Sequence, residues 1–300
     1  MSNDQVLAVD LGQSGCRIQQ GDLLITSERG KLAGEIPLPA LRAVFESIEK
    51  LSADVVALSC SGFNGTVVEP QKYGQLCAEF FGARKVAAID DGFAGFVGAL
   101  AGRDGVVLAI GGGVVSVAGR NGNHAHRDGI GSIFGDEGGG YWLGKLAISK
   151  ALGIRQGRGD DVQMLQYFTD ECAAFDRLEI VDGPEAATLA INTAKKVLEA
   201  ADAGVSTATA IVDEGAYLLA QTVVATWFGT GGKKADAVEI VIQGGAARNA
   251  SYVTKIGLEI NAKLPFAVIV PSAGDNLAGA TWIAKNMRQD APPLLLWSGL

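Results

Sequence analysis

Short apolar runs closed by glycine or an acidic side chain alternate along this chain with longer stretches of helical spacing. Val6 to Val9 reads as a strand that breaks at Asp10 and passes through the turn LGQSG into a second strand, Cys16 to Gln20, giving a hairpin with a glycine-rich tip. Leu41, Val44, Phe45, Ile48 and Leu51 give Leu38 to Leu51 the period of an amphipathic helix, and Asp54 to Ser59 is a further strand ending in the turn SGFNG. Val86 to Ile89 is a strand closed by Asp90 and Asp91, with the small-residue helix candidate GFAGFVGALAG after it. Val106 to Ile110 then opens onto GGG and continues as VVSVAG, so a unit of strand, glycine turn and strand occurs twice, about a hundred residues apart. Two similar α/β domains facing one another across a cleft would produce that echo.

The middle of the chain reads as helical over Gly138 to Leu152, Asp161 to Ala174, Pro184 to Ala200 and about Ala203 to Phe228, with Pro184 well placed at a helix start. A turn, GTGGKKAD, leads to the strand Val238 to Ile242, the turn QGGAARN, a helix ending near Leu264, a strand Ala267 to Val270 and a last helix from about Leu277 to Met287.

Composition narrows the function classes. A hydrophobic content of 48% over 300 residues can bury a sizeable core, and the 41 glycines are gathered in clusters between apolar runs, where ligands and tight turns bring backbones close. The net charge of −8, with no block of Lys or Arg, excludes the dense positive surface of a nucleic-acid groove. Cys16, Cys60, Cys77 and Cys172 form no CxxC pair, so neither zinc nor an iron-sulfur cluster is read from them, and buried hydrophobes are expected. Met1 to Gln5 is polar and the run Val6 to Leu11 is too short for a leader or a membrane segment, so no membrane partner and a cytoplasmic location are expected.

Four segments carry candidate chemistry. In AVDLGQSGCR, a carboxylate ends a buried strand beside an amide-rich turn: amides at Gly12, Gln13 and Gly15 can cradle phosphate, Ser14 adds a hydroxyl, and Asp10 can meet magnesium through water; an Asp-capped structural turn would look alike. Gly111, Gly112 and Gly113 repeat the amide-rich turn without an obstructing side chain. Neither segment is a Walker loop or a dinucleotide fingerprint. Asp90 and Asp91 stand where one carboxylate can act as a general base and one can cap the following helix. GDEGGGYWLGKLAI places Asp136 and Glu137 in a glycine loop ahead of a helix, as hydroxyl-binding groups or as an acidic helix start. His124 and His126, in NGNHAHRDG, are expected in a solvated loop.

The string GDEGGGYWLG resembles the GDEGSGYWIG signature of the N-acetylglucosamine kinase and BadF-type ATPase family, within the superfamily shared by sugar kinases and actin. The first hairpin, the strand-end Asp, the second hairpin, GDEG and a late Gly-Gly turn follow in family order across nearly the whole chain. The resemblance implies an α/β fold of two RNase H-like (actin-like ATPase) domains with an interdomain cleft, residues 1–103 plus 286–300 forming one and 104–285 the other with a helical insertion, and the final helix returning to the first. It implies ATP and Mg2+ as cofactors, with Asp10 at the metal and Asp10, Gly12, Gln13, Ser14, Gly15, Arg17 and Gly111 to Gly113 around the phosphates. Gly244, Gly245, Ala246 and Arg248 fall at the adenosine turn. Asp91 falls at the base, because DGFAGF matches the family's D-A-x-A-A pattern, and Gly129, Asp136 and Glu137 fall at the sugar. The activity implied is phosphorylation of a sugar hydroxyl, on N-acetylglucosamine or a related amino sugar; the partner is that small molecule, with a homodimer left open.

The chain departs from the family where GTGS is usual, carrying Gly111, Gly112, Gly113, Val114 and Val115, and Ile130 stands where an aromatic residue is usual. These changes motivate an alternative, a sugar- or nucleotide-binding regulator with little transfer activity. An activating ATPase for a reductase, a third possibility, needs a cluster-binding Cys pair that the sequence lacks.

Overall fold

The computed structural model describes residues 6–32, 35–63, 67–181, 183–287 and 294–297; Asn64 and Gly65 of the SGFNG turn, and Met1 to Gln5, lie outside them. The chain divides into two compact units, Met1–Asp104 with Pro271–Leu300, and Gly105–Val270.

The first unit is built on a sheet of β1 (Val6–Leu11), β2 (Cys16–Gln20), β3 (Leu23–Ser27), β4 (Val55–Cys60), β5 (Lys85–Asp90) and β11 (Leu294–Trp297), with α1 (Pro37–Ser47), α2 (Pro70–Phe81), α3 (Asp91–Leu100) and α10 (Asn276–Asn286). Its strand order is β11-β5-β4-β1-β2-β3. β1 and β4 are buried at every position, which is why VLAVDL and VVALSC read as continuous apolar runs and not as alternation. β1 runs through Asp10 to Leu11, beyond the break expected at the carboxylate, because Asp10 stays in register with Arg17 on β2 and Ser59 on β4.

The second unit repeats this plan. Its sheet is β10-β9-β6-β7-β8, from β6 (Gly105–Ile110), β7 (Val114–Arg120), β8 (Asn123–Asp128), β9 (Val238–Gln243) and β10 (Ala267–Ile269). In each unit a central strand pairs antiparallel with its hairpin partner and parallel with the next strand inward, β1 with β2 and β4, β6 with β7 and β9. The helices of this unit are α4 (Gly140–Arg155), α5 (Val162–Tyr167), α6 (Thr169–Phe175), α7 (Pro184–Asp202), α8 (Ser206–Gly229) and α9 (Ala250–Lys263). Leu143, Ala147, Val197, Leu219 and Val223 from three of them join Val106, Leu108 and Ile110 in one core.

Three expectations are corrected. His124 and His126 lie in β8, paired with Gly119 and Val117 of β7, and not in a loop. The signal was Asn121-Gly122, a two-residue turn with both φ values positive, at 50° and 80°, which is the combination that matches the twist of a hairpin. The chain returns to the first unit at Pro271 and not at residue 286, because α10 packs on α3 so closely that a Cβ on Gly279 would strike the Ala94 carbonyl. Asp161 to Ala174 is two short helices, interrupted at Phe168. All four cysteines are buried and free, as expected. Among the described residues no helix is long and apolar enough to cross a membrane.

Candidate functional site

In the first unit the tip between β1 and β2 is fixed through its carbonyls. Ser61 N–H donates to Leu11 O and Lys31 N–H to Gly12 O, both at 2.9 Å, while Gly12 N–H closes the turn on Gly15 O at 2.9 Å. In a trans peptide the N–H points opposite to the carbonyl before it, so pinning Gly12 O turns the Gln13 N–H the other way. Gln13 and Ser14 are exposed at this tip.

Asp10 is almost fully buried. Its Oδ1 accepts from Ser59 Oγ at 3.0 Å and its Oδ2 from Arg17 at 2.6 Å, and the other side of the Arg17 guanidinium meets Asp275 at 2.6 Å. Burial pulls the Asp275 carboxyl up, but hydrogen bonds from Arg17 and from the Ala278 N–H outweigh it and leave it below the ordinary value. Burial next to Asp10 pushes the Cys16 thiol up to about 12, so it is no nucleophile. With a guanidinium on one carboxylate oxygen and a hydroxyl on the other, Asp10 does not fit direct ligation of Mg2+. Among the described residues no three His, Cys, Asp or Glu side chains form a metal site either.

Asp90 and Asp91 both reach the amide that opens α3, Gly92 N–H, which donates to Asp90 Oδ1 and to Asp91 Oδ1 at 3.0 Å each. Asp90 is the N-cap of α3. Asp91 is the first helical residue, half-buried, and its carboxylate accepts from Ser61 Oγ at 2.5 Å. The residue before the pinning Ser61 N–H is thus the end of β4, and the same serine orients Asp91 through its hydroxyl.

In the second unit the tip carbonyls are again tied: Gly140 N–H donates to Gly111 O at 2.9 Å and Tyr141 N–H to Gly112 O at 2.8 Å. The first amides of α4 are therefore engaged, and the same peptide geometry turns the N–H groups of Gly112 and Gly113 away from the helix. Asp136 and Glu137 precede the α4 cap residue Gly139 and are not in its first turn, so the acidic-helix-start alternative does not describe them. Instead Asp136, buried and held at φ 60°, accepts the Val114 N–H at 2.9 Å, and a Cβ on Gly113 would lie 2.6 Å from its Oδ2. Asp128 Oδ1 accepts from Asp136 N–H at 2.8 Å, and Gly129 N–H donates to Val114 O at 2.8 Å, so Val114 is gripped on both sides. Burial, with the neighbouring Asp136 charge, raises the Asp128 carboxyl above the ordinary value. Glu137 is exposed.

A cavity of about 570 Å3 lies within this unit, lined by Gly111, Gly112 and Gly140, by Gly245, Ala246, Arg248 and Asn249 after β9, and by one face of α7. It brings together two expected turns far apart in sequence. Gly244 is not part of the lining; its Cα packs on the Ile110 backbone at the end of β6. The α7 wall, Ile191, Lys195, Leu198 and Glu199, was not anticipated, nor were Ser59, Ser61 and Asp275. The α7 residues left one trace, an apolar Ile191 on the helix's otherwise polar side, where it is 42% exposed.

Two sheets of one topology, each with a carbonyl-pinned glycine turn after its central strand, define the two-domain α/β fold of actin-like ATPases and sugar kinases. The chain belongs to the BadF/BadG/BcrA/BcrD ATPase family, whose model matches residues 25–281. It is similar in fold to a protein from Chromobacterium violaceum provisionally described as an N-acetylglucosamine kinase, at 20% identity and a TM-score of 0.63 over 93% of this chain and 98% of that one. A Porphyromonas gingivalis protein of the same provisional description matches at 14% identity and a TM-score of 0.62, over 94% and 100% of the two chains. A ROK family glucokinase from Streptomyces griseus, in complex with glucose and AMPPNP, matches at 14% and 0.56, over 93% and 99%. No curated protein matches the sequence.

Proposed function

We propose that the protein transfers a phosphoryl group from ATP to a sugar hydroxyl, with N-acetylglucosamine or a related amino sugar as the acceptor class. The observation that carries this reading is the second-unit cavity, where the turns Gly111–Gly112 and Gly245–Ala246 meet against α7: an apolar wall for a base beside outward-turned amides for phosphates. The acceptor class is supported by what the similar structures are described as acting on or hold, glucose in one of them.

The residues take the following roles. Asp91, oriented by Ser61 at one oxygen and by the Gly92 N–H at the other, accepts the proton of the sugar hydroxyl. Outward-turned amides of the two glycine turns, those of Gln13, Ser14 and Gly15 and those of Gly112 and Gly113, receive the charge developing on the transferred phosphoryl oxygens, while the Gly12 and Gly111 N–H groups close their own turns on Gly15 O and Gly113 O. Asp136, with Gly129 and Glu137, contacts the sugar, and by accepting the Val114 N–H Asp136 also keeps the second turn in shape. Gly245, Ala246 and Arg248 hold the adenosine. Arg17 neutralises Asp10 and stands ready beside the first phosphate turn. Magnesium enters with the nucleotide substrate, and Asp10, whose oxygens are taken by Arg17 and Ser59, would meet it through water.

Replacing Asp91 with Asn is expected to lower turnover by about 10²- to 10⁴-fold while ATP binding stays unchanged, read by coupled ADP release and by calorimetry. Near-normal rates would remove Asp91 from the role. The apolar start of β7 at Val114 and Val115 supports a second reading, a binding regulator; sugar and nucleotide binding without ADP release across glucosamine, N-acetylglucosamine, N-acetylmannosamine and glucose would favour it.

A further inference from the structure

The loop joining β3 to α1 is fastened against the first glycine turn. Lys31 N–H donates to Gly12 O, and a Cβ on Gly30 would strike the Gln13 carbonyl. Within the loop, Arg29 pairs with Glu35 at 2.6 Å and Leu32 N–H donates to the second Glu35 oxygen at 2.8 Å. Both Glu35 oxygens are thus bonded by other groups, and Lys31 reaches that carboxylate only as a distant charge, a minor addition to the Arg29 and Leu32 bonds that hold it below the ordinary value.

Lys31 is the anomaly of this loop. Its side chain is folded in, 7% exposed, and among the described residues its ammonium makes one hydrogen bond, to Leu32 O at 3.2 Å. It has no carboxylate within ion-pair distance among the described residues, because Glu35 is taken by Arg29 and Asp10 by Arg17. The side chain passes over Gly62, its Nζ 3.0 Å from where a Cβ there would be, and Gly62 follows the Ser61 whose hydroxyl holds Asp91. A buried ammonium with unused donors is costly unless an anion meets it, and this residue is tied by its backbone to the first glycine turn while its side chain crosses Gly62, next in sequence to the Ser61 that holds Asp91.

We propose that Lys31 is an anion-recognition residue that takes an anionic oxygen of a substrate, either on the terminal phosphoryl group of ATP or on a carboxylate carried by the acceptor sugar. This rests on the phosphoryl-transfer reading above. An oxygen in that place supplies the missing charge-assisted bonds and would set the protein's preference for acidic over neutral ligands.

The test uses the full chain and two ligand pairs that differ by one anionic group: AMPPNP against ADP, and N-acetylmuramate against N-acetylglucosamine. Calorimetry is run on the wild type, Lys31→Met and Lys31→Arg, with thermal unfolding as the control for folding. Lys31→Met is expected to weaken the more anionic member of one pair by about tenfold or more and its counterpart by less than about twofold, and Lys31→Arg to retain most of the affinity. Selective loss of AMPPNP assigns the oxygen to the terminal phosphoryl, and selective loss of N-acetylmuramate assigns it to the acceptor. Equal losses on all four ligands, no loss on any, or a wild type that binds neither AMPPNP nor N-acetylmuramate overturns the proposal. Absence of ADP formation with every sugar, with AMPPNP binding still dependent on Lys31, would instead sink the kinase reading and leave the anion site standing.

Discussion

In the first unit the charge at the glycine hairpin belongs to the hairpin itself: one position back from the tip, Asp10 faces Arg17 across the ladder. At the same place in the second unit the cross-strand pair is Ala109 and Val115, and the carboxylate is Asp136, brought back from a loop 22 residues beyond Val114. The tip carbonyls are pinned in both, by two separate loops through Ser61 and Lys31 in one case and by consecutive amides of α4 in the other. What the fold repeats is a turn with its carbonyls tied and its amides turned outward. Where the supporting charge comes from is left free, and the GDEG string carries in the second unit what the strand carries in the first.

The largest expected effect that would break this comparison is at the glycines. Gly113→Ala forces a methyl against the Asp136 carboxylate, 2.6 Å away, whereas a methyl at Gly12 meets Gly15 O at an ordinary 3.7 Å. Chemical denaturation should show Gly113→Ala destabilising towards the upper end of about 1–3 kcal/mol and Gly12→Ala changing stability by less than about 0.5 kcal/mol; equal effects would mean that the two tips are supported alike. Next, Asp136→Ala leaves the buried Val114 N–H without its acceptor, a loss of about 2 kcal/mol that Asp136→Asn should largely restore. If Asn behaves as Ala, the carboxylate acts through its charge and not as an acceptor.

Arg17→Met should cost less, about 1 kcal/mol, because Asp10 keeps its Ser59 bond and the guanidinium is 38% exposed and screened. The smallest effect is a divergence with pH. Asp275 titrates below its ordinary 3.8, so its contribution is present above 3.8 and is lost as pH falls through its folded value. Asp128 titrates above 3.8, so its contribution is present below 3.8 and is lost as pH rises through its folded value. Acidification should therefore weaken amide protection around Arg17 while strengthening it around Val114, and a shift of both hairpins in the same direction would contradict the distinct electrostatic support described for them.

Much of the candidate site's local framework was legible. Asp10, Asp91, the two glycine turns and GDEG stand out because a carboxylate or a glycine cluster at the end of a buried strand interrupts an apolar pattern, and such interruptions are rare enough to notice. The α7 wall was not legible, because Ile191, Lys195, Leu198 and Glu199 follow the ordinary spacing of a surface helix. Ser59 and Ser61 were hidden for the opposite reason: a small hydroxyl in VVALSCS looks like tolerated polarity until the register puts it beside Asp10 and the helix start puts it beside Asp91.

The sequence by itself determined the alternation of strands and helices, the doubled hairpin and the residue types at each tip, since these depend on local period and on where a chain can turn. Only the tertiary structure decided which carboxylate serves which turn, that Asp90 is the cap of α3 while Asp91 is also held by Ser61, and that Lys31 is buried with no carboxylate within ion-pair distance among the described residues. Those outcomes depend on register and on contacts between distant segments, where a shift of one residue exchanges one partner for another and leaves the pattern along the chain unchanged.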